Sequence, residues 1–169
     1  VGTTYSLDLT SFMSLPFSLG LIEEPDKAML SSIAYLFTAL RMCSNKLAVF
    51  CNFSNIKVPD GQKKIFYSLI EKSIFPINAA KKPTDLVNFH PKVWVIQESE
   101  INGDTKRIKV IVMSRNLTND NSIDAVCELT GIISDKEAPS KSLEKHKALW
   151  DFLNYLKLFA DGPKRKMIE

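Results

Sequence analysis

Val93-Trp94-Val95-Ile96, then Ile101-Asn102-Gly103-Asp104, then Arg107-Ile108-Lys109-Val110-Ile111-Val112 is the stretch on which the fold turns. The outer segments are apolar and rich in strand-favouring residues, the second with partial alternation. The middle segment carries an Asn-Gly step, which supplies the positive φ values that a tight turn needs. The three together predict a β-hairpin. With the turn centred near Asn102 and Gly103, facing positions sum to about 205, which sets Lys92 against Met113 and His90 against Arg115 in a regular ladder. Side chains alternate with period two, so His90 and Lys92 share a face of their strand, and Ser114 and Asn116 share a face of theirs. The open end of the hairpin therefore gathers His90-Pro91-Lys92 and Ser114-Arg115-Asn116. Four polar groups are expected to meet there on a phosphate-sized spot, with a bulge as the feature that would shift the register.

Outward from the hairpin, the chain alternates strands and helices. Thr3 to Leu7 reads as a strand, and Leu7 to Ile22, broken by Pro16 and Gly20, as a buried connecting helix. Pro25 to Met42 reads as a helix with Met29, Ile33, Leu36, Phe37 and Leu40 at helical spacing. Leu47 to Phe53 is a short apolar run with the character of a central strand. Gly61 to Lys72 is amphipathic, with Ile65, Phe66, Leu69 and Ile70 inward, and leads to a strand at Ile74 to Ile77. After the hairpin, Ile123 to Ile133 is a returning strand, and Ser142 to Ala160 a closing helix carrying Leu149, Leu153 and Leu156. This order predicts an α/β sandwich with a mixed sheet in one domain spanning 1–169, of which 138–169 is the C-terminal helix and basic tail.

Composition bounds the function. The 169 residues are 45% hydrophobic and 24% charged, enough to bury one sizeable core. A net charge of +3 permits a phosphodiester polymer as partner without demanding one. Cys43, Cys51 and Cys127 are an odd set without metal-ligand spacing, each in an apolar context, so buried free thiols in a reducing compartment are expected. No stretch has the form of a signal peptide or membrane span, and the protein is expected to be cytoplasmic with no membrane partner. Lys81-Lys82-Pro83 forms a basic approach to His90, and Lys164-Arg165-Lys166 a solvated end.

The pair His90-x-Lys92 followed by Ser114-x-Asn116 resembles the phospholipase D superfamily, whose half-site runs H-x-K-x(4)-D and then G-S-x-N. The stretch Ser114-Arg115-Asn116-Leu117-Thr118, with Asp124 trailing it, is similar to the S-x-N-L-T segment of bacterial phospholipase D-like nucleases. The opening Thr3-Thr4-Tyr5-Ser6-Leu7-Asp8 looks like the first strand of such domains, so the resemblance spans residues 1–133. Gln97 stands where the family has Asp, and Met113 where it has Gly. The resemblance implies an α/β/α sandwich with a mixed, mostly parallel sheet and a catalytic β-hairpin. It also implies a metal-independent phosphodiesterase without cofactor, acting as an endonuclease on nucleic acid, DNA ahead of RNA, in bacterial antiviral defence or restriction.

In that scheme His90 attacks phosphorus as a neutral imidazole and forms a phosphohistidine. Lys92 and Asn116 hold non-bridging oxygens, and Ser114 adds a hydroxyl donor. Asp124 accepts from the second ring nitrogen of His90 and fixes its tautomer. Arg115, facing away from Ser114 and Asn116 on a regular strand, reaches phosphate only if the strand is bulged. A second acid must protonate the leaving oxygen, because a nucleophile already bonded to phosphorus cannot also be that acid. The remaining histidine, His146, lies on the Leu143, Trp150, Leu153 side of a helical pattern and is expected to pack. The chain therefore supplies half a site, and the other half is expected from a homodimer, or from larger subunits, meeting through the active-site face. Two alternatives stand beside this: a non-catalytic binding or dimerisation module retaining a degenerate site, and a phospholipase acting on lipid phosphodiesters.

Overall fold

The computed structural model describes residues 1–21, 33–60, 64–80, 87–100, 105–133, 141, 144–160 and 165. In chain order these form β1 (Gly2–Thr4), β2 (Leu7–Asp8), α1 (Leu9–Ser18), α2 (Ile33–Cys43), β3 (Val49–Asn52), β4 (Ile56–Lys57) and α3 (Lys64–Ile70). A 3-10 turn (Glu71–Ser73), β5 (Ile74–Ile77), β6 (Val93–Ser99), β7 (Lys106–Met113), β8 (Val126–Ile133) and α4 (Lys147–Lys157) complete them. The expected elements are present in the expected order. The Asn102-Gly103 turn, the Lys81-Lys82-Pro83 approach, Met29, Leu143, and the side chains of Ile33, Leu36, Phe37, Ile65 and Phe66 lie outside what is described.

Six strands make one mixed sheet in the order β5-β3-β1-β6-β7-β8, and β2 pairs with β4 in a second, two-stranded one. β1, β3 and β5 run parallel, while the β1–β6, β6–β7 and β7–β8 pairings are antiparallel. Antiparallel neighbours thus outnumber parallel ones, which corrects the mostly parallel expectation. The hairpin and its returning strand add three antiparallel pairings to a parallel core that holds only two. Within the hairpin, Val93 faces Val112 and Ser99 faces Lys106, the register read from the sequence.

Alternation along β3 separates two hydrophobic clusters. Val49 and Cys51 join Leu7, Leu9, Phe12, Leu15, Leu40, Ile70, Ile74 and Trp94 on one face, under α1, α2 and α3. Phe50 joins Phe75, Ile77, Phe89, Leu156 and Ala160 on the other, under α4, with the Phe50 and Phe75 rings stacked at 4.8 Å. Among the described residues, helices therefore cover both faces of the parallel half, and Trp94, Ile96 and Ile111 of the hairpin join the α1–α3 side. A Cβ on Gly2 would meet the Trp94 ring at 2.5 Å, so glycine is what lets that ring close over β1.

The segment that links β1 to the helical layer is defined at both ends. Asp8 stands in extended geometry before α1, and its Oδ1 accepts from Thr10 N at 2.7 Å and Ser11 N at 3.2 Å, satisfying two of the helix's open donors. At the other end Gly20 takes φ 62°, while Gly20 N donates to Phe17 O and Leu21 N to Pro16 O, both at 2.9 Å. That crossed pair of bonds is a Schellman stop, which glycine adopts without steric cost. No helix among the described residues is long and apolar enough to cross a membrane.

Two expectations about single residues are corrected. Cys127 is exposed, because β8 is the sheet edge, while Cys43 and Cys51 are buried free thiols. His146 is exposed and precedes the first residue of α4. Trp150, on the same side, is also 52% exposed, whereas Leu153 packs against the cluster under α4, so that side is buried only from Leu153 onward.

Candidate active site

The hairpin's open end lies beside the carboxyl ends of β1 and β3. There the sheet changes from parallel to antiparallel, the place in open α/β sheets where ligands are commonly held. Two anchors put the first motif there. Phe89 is buried in the α4-side cluster, and its N–H donates to Oδ1 of Asn52, the last residue of β3, at 3.3 Å. Buried Thr3 accepts from Val93 N at 2.8 Å and donates to Val93 O at 3.1 Å. Between these fixed points His90 is exposed and Lys92 is buried, with 8% of its surface accessible.

The Lys92 ammonium lies 3.0 Å from Nδ1 and 3.2 Å from Nε2 of His90, and 3.4 Å from the His90 carbonyl oxygen. Near-equal distances to both nitrogens set the charge against the imidazole as a whole rather than along one lone pair. Among the described residues no carboxylate pairs with Lys92. Burial without a counter-charge pushes its ammonium below the usual lysine range. The other neighbour of the imidazole is Tyr5, whose ring centroid is 4.8 Å away at an interplanar angle of 40°.

The second motif divides. Asn116 joins the His90 group: its Oδ1 accepts from Tyr5 N and Ser6 N, each at 3.2 Å. Because two N–H donors fix which end of the amide is oxygen, Nδ2 is the end left to meet a ligand. Chain departure from the ladder makes this reach possible. After Met113, whose N–H donates to Lys92 O at 3.0 Å, the backbone turns to bridge Leu117 with Leu7. There Leu117 N donates to Thr4 Oγ1 at 2.9 Å.

Ser114 and Asp124 form a separate pair. The Ser114 hydroxyl donates to Asp124 Oδ1 at 2.8 Å and accepts from Ala125 N at 2.9 Å. Its proton is thus spent on Asp124 rather than held for substrate. Asp124 has Ser114 and, at 3.6 Å, the Arg115 guanidinium as partners, and His90 is not among them. Register explains the division. Facing residues of an antiparallel pair share a face, so Lys92 falls with Met113, and Ser114, the next residue, points to the opposite side.

Arg115 is committed to the loop that follows. Its guanidinium donates to the carbonyls of Thr118 and Asp120 and lies 3.7 Å from the Asp120 carboxylate. Asp120 in turn accepts from Ser122 Oγ, Thr118 Oγ1 and Ser122 N, and these bonds, with Arg115 beside them, hold its carboxyl well below the usual carboxylate range. The two departures from the half-site pattern also have places. Gln97 is exposed on β6, five residues beyond Lys92 and so about 16 Å along the strand. Met113 packs against the cluster that holds Trp94.

Tyr5, which the sequence marked only as part of a first strand, is the site residue that spacing missed. Its link to Asn116 spans 111 positions, beyond the reach of any local pattern. No family model matches this chain, and neither the curated proteins nor the solved structures give a significant match to it.

Proposed function

We propose that the chain is a metal-independent phosphodiesterase of the phospholipase D kind, most suited to nucleic acid, working through a phosphohistidine and completed by a second copy. The observation that carries this is the buried Lys92 ammonium, without a carboxylate partner among the described residues, set against the exposed imidazole of His90. A buried cation without a counter-charge costs stability, and an arriving phosphate offsets that cost. The same charge, held beside the imidazole, acts on the oxygens that gain negative charge in the transition state.

The chemistry balances in two steps. A neutral ring nitrogen of His90 gives its electron pair to phosphorus, the phosphorus–oxygen bond to the leaving group breaks, and that oxygen takes a proton from a second acid. Water then attacks the phosphohistidine, giving its proton to the same second group and freeing His90. Lys92 and Asn116 Nδ2 steady the non-bridging oxygens throughout. The second acid in this proposal is His90 of another copy, meeting across a two-fold axis.

One observation favours a second possibility, an anion-binding module without turnover: among the described residues no carboxylate orients the His90 ring, and Asp124 is bonded to Ser114. Hydrolysis of bis(p-nitrophenyl) phosphate and of single- and double-stranded DNA, in EDTA, decides between the two. Wild type is expected to turn over and His90→Ala to lose at least about 1000-fold, the scale of losing a covalent nucleophile. Equal rates would end the catalytic proposal. Because the shared site draws His90 from both copies, excess His90→Ala mixed with wild type is expected to depress turnover per wild-type chain.

A further inference from the structure

We propose that Tyr5 is a positioning residue for His90, and that Asn116 holds it there. The role in turnover rests on the phosphodiesterase proposal, whereas the contact itself does not. A nucleophilic imidazole must present one nitrogen to phosphorus along a narrow approach, and an exposed histidine turns freely about two torsions unless something packs against it. A carboxylate bonded to the far ring nitrogen is one solution, and none among the described residues provides it. The Tyr5 ring lies against the imidazole instead, with centroids 4.8 Å apart, and the Lys92 ammonium is its other neighbour.

Tyr5 is itself fixed from both sides of its peptide. Its N–H, with that of Ser6, donates to Asn116 Oδ1, and its carbonyl accepts from Asn52 N at 3.3 Å. Asn52 uses its own Oδ1 to hold Phe89 N, one residue before His90. The backbones that carry the two rings therefore hang from the same asparagine. Thr4 tightens the turn by donating to Ser6 O at 2.7 Å while accepting from Leu117 N. In this proposal Asn116 has two duties at its two ends: Oδ1 sets Tyr5, and Nδ2 is left to bind phosphate oxygen. The separation of these duties makes the inference testable.

The chain has two histidines, His90 and the exposed His146, so NMR of the imidazole C–H protons gives two sets of signals that His146→Gln assigns. The His90 signals are expected to be displaced by the Tyr5 ring current, and the His146 signals not. Tyr5→Leu abolishes the displacement and lowers kcat by about 10- to 100-fold with KM changed less than about twofold, the mark of a misaimed nucleophile rather than lost binding. Tyr5→Phe, which keeps the ring, restores both. Asn116→Asp keeps an acceptor for Tyr5 N and Ser6 N, so the displacement stays while turnover is lost. Asn116→Leu loses both.

His90 signals unmoved by Tyr5→Leu, or Tyr5→Phe as slow as Tyr5→Leu, would overturn the inference. Failure of the phosphodiesterase proposal has a different signature. Wild type would then hydrolyse no faster than His90→Ala, while Tyr5 still displaced the His90 signals of the wild type.

Discussion

All four residues of β3 are buried and all eight of β8 are exposed, although both belong to one six-stranded sheet. β3 is paired on both edges and lies between two hydrophobic clusters, with helices over each. β8 has one paired edge and sits where the helical cover has ended. Surface ion pairs lace the outer strands, Lys109 with Glu98 at 2.9 Å and Arg107 with Glu100 at 2.9 Å, and such exposed pairs contribute little each. The difference teaches where the candidate site can afford a strained group. Lys92 is buried at the seam, anchored to the stable half through Thr3 and Asn52, while His90 looks outward from it.

The largest break in that comparison is expected from Phe50→Ala. Phe50 is fully buried and stacks on Phe75, so truncation leaves a cavity in the parallel half. A loss of about 3–5 kcal/mol in urea unfolding is expected, a large share of what a domain this size has. A loss below about 1 kcal/mol would mean that the parallel half is not the source of stability.

Lys92→Met is expected to act in the opposite direction on stability while abolishing turnover. Removing an ammonium that has no carboxylate partner among the described residues, in favour of an apolar stem of similar length, should raise Tm by a small amount, up to about 2 °C, since the charged end is largely open to solvent. The sign of the pH dependence follows from burial lowering the Lys92 ammonium below its ordinary 10.5. Where lysine is charged in both the folded and unfolded states, the burial cost is fully present. It shrinks as pH rises through the lowered value and is gone above 10.5. Melting curves of the two chains should therefore converge between neutral pH and that limit. Curves separated by a constant gap would mean the lysine is not the cause.

The same contrast explains what was legible in the sequence. Hairpin register was legible because it needs only a period of two and one Asn-Gly step, and the observed Val93–Val112 pairing has the expected sum. The break at Gly20 is equally local, whereas the Asp8 cap was not read although its signal is local too. Which strand lies beside β1 is not local, and so the antiparallel share of the sheet was underestimated. In the site, spacing drew His90 and Lys92 together. The same register sets Ser114 on the face opposite Lys92, which the expected four-group cluster overlooked, whereas the return of Asn116 to the site depends on the chain leaving the ladder after Met113. Spacing could not find Tyr5 either, which reaches the imidazole only through tertiary contacts.

The smallest expected effect is the most discriminating test of the outer half. Leu129 faces Val110 across the β7–β8 ladder and is 67% exposed, so Leu129→Ala removes little buried surface. A loss under about 0.5 kcal/mol is expected if β8 is bare in solution, because surface truncations away from caps and cavities stay near that value. Leu129→Ala should then leave turnover unchanged as well, since nothing in the anchoring of His90 passes through it. A loss above about 1 kcal/mol, growing with protein concentration, would instead show that β8 is covered in solution by another copy, for only a partner lends an exposed strand stability that depends on concentration. In that event the apparent weakness of the antiparallel half is a property of the isolated chain, and the contrast with β3 would hold for the monomer alone.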